Sequence, residues 1–242
     1  MNDGGRLIME LENVGVAYPR GRSFRPSQRT PFWALRDISM QVFAGETVGI
    51  IGRNGAGKST LLRLLAGIIT PDQGTFRDLS SNTSLLSLQL GFVQHLSGRE
   101  NIRLSGLLQG LTRREIESRI DRIIEFAEIE EFIDEPIQAY SSGMRARLGF
   151  STAIHVEPEV LLIDETLGVG DAAFQKKSKE VMKERIKSDR TVVLVTHSGG
   201  TVKELCDRAV WIERGSVRRQ GNVESTLDAY LEHVNARKSG GS

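Results

Sequence analysis

Cysteine is almost missing from this sequence. Cys206 stands alone, which rules out an intrachain disulfide and suits a reducing compartment. Its expected role is that of a small apolar residue in a helix. No apolar run reaches the ~18 residues of a bilayer span, and the first residues lack a signal-peptide pattern. Charge of one sign is not in excess either. Thirty-two Lys and Arg face 31 Asp and Glu, for a net charge of +1, so no nucleic-acid footprint exists at whole-chain level. His95, His155, His197 and His233 show no metal-ligand spacing. The length of 242 residues leaves room for one large domain or two small ones.

What is present centres on Val48–Thr60, which reads V-G-I-I-G-R-N-G-A-G-K-S-T. It contains the phosphate-loop pattern Gly52-x₄-Gly57-Lys58-Ser59. Glycines let backbone N–H groups turn toward phosphate oxygens with no Cβ in the way. Lys58 supplies a mobile positive charge for β- and γ-phosphates, and the Ser59 hydroxyl is a Mg²⁺ ligand. A helix starting here aims the positive end of its dipole at the same anion. Val48, Ile50 and Ile51 form an apolar strand before the loop, and Leu61, Leu62, Leu64 and Leu65 a helical run after it. An ordinary Gly-rich turn has no need of both flanks.

Residues 8–18 alternate loosely and read as a strand, and Trp33–Val42 as a second. Between them, 19–31 carries Arg20, Arg22, Arg25 and Arg29 with no acidic residue. That is a solvated basic loop or a contact for anionic head groups and pyrophosphates. Pro71–Gly74 is a turn, and Ser84–Gln89 a short strand ending in glutamine. Thr112-Arg-Arg-Glu115 is a capping box. It opens a helix with Ile116, Ile120, Ile123, Ile124 and Ala127 on one face. Residues from about 96 to 157 read as helical throughout, which implies a helical subdomain inserted into an α/β core.

Pro158–Glu165 (P-E-V-L-L-I-D-E) is a buried strand ending in two carboxylates. Such a pair needs a partner. Mg²⁺ supplies one to Asp164. Glu165 is then placed to orient or deprotonate the attacking water. The alternative is an acidic pair capping the next helix. Ala172–Ser188 is a polar, Lys-rich helix. Thr191–His197 is another buried strand, with His197 at its carboxyl end, the edge where open α/β sheets bind ligands. A γ-phosphate contact follows for His197. A short helix over Val202–Cys206 comes next, then a hairpin across Arg214-Gly215. Val223–Lys238 is a helix with Leu227, Tyr230, Leu231 and Val234 on its apolar side.

A fourth element decides the class. Tyr140-Ser141-Ser142-Gly143-Met144, before a helix and about 20 residues ahead of Asp164, resembles the signature segment of ABC-transporter ATPases. The usual form is Leu-Ser-Gly-Gly-Gln. Tyr140, Ser142 and Met144 depart from it; Ser141 and Gly143 remain. A serine hydroxyl and exposed N–H groups at a helix start make a second anion site. A-Y-S-S-G-M-R-A-R-L, I-D-E-T-L-G-V-G-D and L-S-G-R-E-N together look like the ATPase subunits of exporters of O-antigen, capsular polysaccharide or teichoic acid. The resemblance covers about 8 to 235.

That resemblance implies an ABC ATPase fold: a P-loop NTPase (RecA-like) α/β core, an antiparallel β subdomain and the inserted helical subdomain. It implies one nucleotide-binding domain over 1–238; the last four residues, Ser-Gly-Gly-Ser at 239–242, read as an added linker outside the fold. Two copies form a head-to-tail homodimer around two ATP and their Mg²⁺. Gly52, Asn54, Gly55, Ala56, Gly57, Lys58, Ser59 and Thr60 of one copy hold the phosphates. Ser141 and Gly143 of the other close on the γ-phosphate, and Asp171 communicates across the dimer. The metal-contacting glutamine is Gln89, with Gln94 the alternative in the same loop. The aromatic that stacks on adenine is Tyr18, with Phe32 or Trp33 as alternatives. The partner is a dimer of integral membrane permease subunits that carries a lipid-linked polysaccharide, and no nucleic acid is involved. The location implied is peripheral, on the cytoplasmic face of the inner membrane. Another transporter's ATPase subunit, importer or lipid exporter, or a non-transport ABC ATPase, is the competing reading.

Overall fold

The computed structural model describes residues 5–19, 31–86, 92–155, 158–164, 171–186 and 190–239. Along the chain run β1 (Leu7–Tyr18), β2 (Phe32–Phe43), β3 (Thr47–Ile51), α1 (Lys58–Leu65), β4 (Gln73–Asp78) and β5 (Thr83–Leu85). Then follow α2 (Gly98–Leu108), α3 (Arg113–Ala127), α4 (Ser142–His155), β6 (Val160–Ile163), α5 (Ala172–Ile186) and β7 (Thr191–Val195). The chain continues through α6 (Gly199–Leu205), β8 (Arg208–Glu213), β9 (Ser216–Asn222) and α7 (Val223–Ser239). The residues fall into two compact units. One comprises Met1–Ser81, Val160–Glu165 and Ile186–Ser242; the other comprises Asn82–Glu159 and Thr166–Arg185.

In the first unit, β6, β7, β3 and β8 lie side by side in that order, all parallel, and β9 pairs antiparallel with β8. Every residue of β3, β6 and β7 is buried. Such unbroken apolar runs belong to parallel strands covered on both faces. A second sheet, order β2-β1-β4, is antiparallel throughout. The turn expected over Pro71–Gly74 is cut short, because β4 already begins at Gln73. Its residues are exposed apart from a half-buried Phe76, so no hydrophobic alternation marked it. Gly74 is required there. Its φ is +76°, and a Cβ would stand 2.3 Å from the carbonyl oxygens of Glu12 and Asn13.

The second unit is built on α2, α3 and α4. Ile102, Ile116, Ile120, Ile123, Ile124, Ala127, Ile129, Ile133, Ile137, Tyr140 and Leu148 form one buried cluster. The face expected on α3 is the face it buries. Thr112 caps α3 in a full capping box with Glu115, and Ser97 caps α2 the same way with Glu100. A satellite of Phe126, Phe150 and Phe174 packs with ring centroids 5.8–6.1 Å apart. It joins α3, α4 and α5. Lys177 Nζ sits 4.4 Å above the Phe126 ring and also donates to Glu128.

Two details differ from the sequence expectation. Leu231 of α7 is 50% exposed, because α7 turns Val223, Leu227, Ala229 and Tyr230 toward Trp211 and its neighbours. The same helix runs to Ser239, one residue into the expected linker. No helix among the described residues is long and apolar enough to cross a membrane.

Candidate functional site

The phosphate loop leaves β3 and enters α1 with the backbone that glycine permits. Gly52, Gly55 and Gly57 have φ of +156°, +77° and +108°. A Cβ on Gly52 would stand 2.2 Å from the carbonyl oxygen of Ile212, and one on Gly57 2.6 Å from that of Ala34. No acidic residue occupies the first turn of α1, so its N-terminal N–H groups meet no negative side chain there. Lys58 is 9% exposed, and its Nζ donates to the carbonyls of Gly52 at 2.7 Å and Arg53 at 3.1 Å. The ammonium is thus drawn back along the loop it would serve. Asn54, Gly55 and Ser59 are exposed; Ala56 is buried and Thr60 half-buried.

The sheet order brings the other strand ends to the same edge. β7 lies between β6 and β3, all parallel, with Ile163 opposite Leu194 and Ile50 opposite Val195. Their carboxyl ends therefore open on one side, about 5 Å apart strand to strand. From that side project the phosphate loop, half-buried Asp164 just after β6, and exposed His197, two residues beyond the end of β7. Sheet topology assembles what sequence spacing could only suggest. The donor chemistry fits Mg²⁺: a serine hydroxyl and a carboxylate supply oxygens, and this ion keeps most of its ligands from water and phosphate. Among the described residues no group of three His, Cys, Asp or Glu could hold a metal by itself.

Tyr18 ends β1 opposite Phe32; both side chains are exposed, at 36% and 48%. Trp33, opposite Ala17, lies across Gly15, where a Cβ would meet its ring at 2.7 Å. All three aromatics expected as alternatives for adenine thus sit at one end of the antiparallel sheet.

Ser141, Gly143 and Asp171 belong to the second unit. Ser141 precedes α4, and its Oγ accepts the N–H of Met144 at 3.1 Å, the geometry of a helix cap. Among the described residues, its chain neighbours and its own helix backbone apart, the nearest heavy atom to a Cβ built on Gly143 is Ser141 Oγ, at 3.8 Å. Packing within the unit therefore does not call for glycine at that position. Asp171 caps α5, accepting from Ala173 and Phe174, and pairs with Arg147 of α4. The Phe174 N–H first, then the Arg147 guanidinium, hold its carboxyl down at about 2. Gln94 is exposed, and its carbonyl accepts the N–H of Gln138 at 3.0 Å. Gln89, Glu165 and the basic Arg20, Arg22, Arg25 and Arg29 lie outside the described residues.

One cluster had no sequence signal. Glu213, at the end of β8, is 6% exposed and is met by Arg237 and His233 of α7. The three are 20 and 24 residues apart, and only the docking of α7 joins them.

Comparison with known proteins agrees with this geometry. The ABC transporter family matches residues 35–168. The O-antigen export system ATP-binding protein RfbB of Klebsiella pneumoniae is 47% identical over 217 residues, 90% of this chain and 88% of that protein. RfbB of Myxococcus xanthus is 50% identical over 201 residues, 83% of this chain and 46% of its own length. The teichoic acids export ATP-binding protein TagH of Lactococcus lactis is 46% identical over 203 residues, 84% of this chain and 43% of its own length. The chain thus spans less than half of the last two proteins. In fold it is similar to the ATP-binding cassette MJ0796, solved as a dimer in a post-hydrolysis state bound to ADP and Pi, with a TM-score of 0.70 at 22% identity, covering 89% of this chain and 99% of that one. An ATP-binding subunit of an ABC transporter superposes with a TM-score of 0.73 at 22% identity, covering 95% of this chain and 98% of that one. By its phosphate loop, its strand order and these likenesses, the chain belongs to the ABC transporter family.

Proposed function

We propose that this protein is the ATP-hydrolysing subunit of an exporter that moves a lipid-linked polysaccharide across the cytoplasmic membrane. It works as a homodimer docked peripherally on a pair of permease subunits. The observation that carries the dimeric site is the open space at Gly143. A glycine near the start of a helix costs up to about 1 kcal/mol against alanine. None of its neighbours requires it, so the close approach comes from outside the unit, and a γ-phosphate held by a second copy supplies it. Relatives that export O-antigen and teichoic acid, at 45–50% identity, support the polysaccharide assignment.

In this reading the loop N–H groups of Asn54–Thr60 and the start of α1 bind the β- and γ-phosphates, and Lys58 leaves its loop carbonyls for them. Ser59, Asp164 and Gln89 hold Mg²⁺. When bound, the ion neutralises charge on the phosphates as the leaving group departs. Glu165 orients or deprotonates the attacking water, and His197 donates to the γ-phosphate. Tyr18 stacks on adenine. Ser141 and Gly143 of the second copy close the site, and Asp171 links the two sites. Hydrolysis removes the anion that both copies grip, so the dimer opens and moves the permease. The cation-only loop with Arg20, Arg22, Arg25 and Arg29 contacts the anionic carrier of the glycan.

The test is reconstitution with the membrane subunit that co-purifies with the chain. ATP hydrolysis should rise with a lipid-linked glycan and vanish in Lys58→Ala. Stimulation by nucleic acid or ribosomes instead would assign the chain to the non-transport ATPases. A vesicle assay in which the fourfold Arg→Gln variant of the loop transports as fast as the parent would remove the carrier contact.

A further inference from the structure

The phosphate loop is braced from behind by backbone contacts. The N–H of Gly215 donates to the carbonyl of Ala56 at 2.9 Å, and the Gly215 carbonyl accepts the N–H of Arg36 at 2.7 Å. A Cβ on Gly215 would stand 2.6 Å from the Ala34 oxygen, the same atom that crowds Gly57. The Ile212 oxygen crowds Gly52 in the same way. Three backbones therefore meet directly, with the Leu35 side chain beside them: the loop, the start of β2, and the β8–β9 turn. Side-chain repacking cannot absorb a shift of that turn, so a shift reaches Ala56 directly.

The turn is itself anchored at one charged residue. Arg214 and Gly215, with φ of +50° and +83°, make a two-residue turn immediately after Glu213. A carboxylate this buried is tolerated only when paired. Both partners come from α7. Arg237 Nη1 donates to Oε1 at 2.8 Å. His233 Nε2 lies 2.9 Å from Oε2. His233 and Arg237 stand four residues apart, on one face of the helix. The His233 ring also packs against Trp211 of β8, with centroids 5.1 Å apart. None of these residues belongs to a nucleotide-binding motif.

We propose that Glu213, held by Arg237 and His233, is a positioning residue for the ATP site: α7 sets the β8–β9 turn, and the turn sets Ala56 and the phosphate loop's grip on nucleotide. The proposal rests on the reading of Gly52–Thr60 as the phosphate site. By reciprocity, nucleotide on the loop tightens the docking of α7.

The experiment compares Mg-ADP affinity by calorimetry, steady-state ATPase kinetics and thermal melting across four variants. Glu213→Gln and Arg237→Met break the contact, and Arg237→Lys retains the charge. Ile120→Ala loosens the buried cluster of α2, α3 and α4, which includes neither Glu213 nor any residue of α7. The expected result is Mg-ADP binding weakened roughly 5–50-fold in Glu213→Gln and Arg237→Met. KM should rise alongside and kcat should change far less. Arg237→Lys should bind within a few-fold of the parent, and Ile120→Ala should melt earlier yet bind normally. Affinity that follows melting temperature through all four variants overturns the proposal, as does parent-like binding in Arg237→Met, which decides the matter should Glu213→Gln fail to fold. Lys58→Ala is the separate control. If it binds Mg-ADP like the parent, the phosphate-site reading falls first and the proposal with it.

Discussion

Gly98 and Tyr140 share one small space: a Cβ on residue 98 would stand 2.4 Å from the Tyr140 hydroxyl oxygen, which donates to the carbonyl of Phe132 at 2.6 Å. The two residues come from L-S-G-R-E-N and A-Y-S-S-G-M, segments that mark this chain's variant of the family pattern. The departure at Tyr140 is thus an internal one. Its ring is part of the second unit's core, burial pushes its hydroxyl up to about 12, and a glycine opposite makes room. Gly98→Ala should destabilise the protein by about 1–3 kcal/mol through overpacking. Tyr140→Phe should cost about 1–2 kcal/mol by stranding the Phe132 carbonyl. The double variant should lose less than the sum, by about 1 kcal/mol. Urea melts give all three values, and strict additivity would mean the two residues do not compete.

Gly143 is open where Gly98 is crowded. Gly143→Val should leave folding stability within about 0.5 kcal/mol of the parent, because a Cβ there meets only Ser141 Oγ, at 3.8 Å, among the described residues beyond its own helix backbone and chain neighbours. ATP hydrolysis should fall at least about tenfold, because a second copy's nucleotide must approach there. Full activity in this variant would remove the composite site.

Glu165→Gln should keep nucleotide binding and lower ATP turnover by about 100-fold or more, the scale of a lost general base. Size-exclusion chromatography with Mg-ATP should then show a stable dimer. Turnover at the parent's rate would take the base role from Glu165.

Asp171 gives a pH-dependent prediction. A carboxyl held below its unfolded value, about 3.9, adds stability above that pH and loses it as pH falls through its folded value of about 2. Asp171→Asn should therefore be less stable than the parent by a constant margin above about pH 4.5, with the margin narrowing below about pH 4. Denaturant melts across that range provide the check; a margin that ignores pH would assign the effect to something other than the charge. ATPase activity lost beyond what the stability change explains would support its role across the dimer.

Cys206 should be inert. Burial first, and Asp207 second, push its thiol from 9.0 to about 12, which lowers the thiolate fraction at pH 8 about a thousandfold. A Cβ on Gly49 would stand 2.8 Å from its Sγ. Native protein should react with a disulfide reagent orders of magnitude more slowly than the same chain in urea; comparable rates would contradict the burial.

By itself the sequence determined whatever depends on neighbours along the chain. The phosphate loop was legible because phosphate is held by consecutive N–H groups, and glycines must recur at short, set intervals for that. The α3 capping box and its isoleucine face were legible because helix periodicity writes burial into spacing. The runs of β3, β6 and β7 announced strands covered on both faces. Tertiary structure alone decided what distant segments do to one another. β4 is a strand because β1 offers it a partner, not because its polar residues prefer one. Sheet order set the phosphate loop, Asp164 and His197 on one edge. Glu213 has its partners 20 and 24 residues away on a helix whose docking no local pattern encodes. A buried charge is paired by whichever element packs over it, and only the folded chain chooses that element.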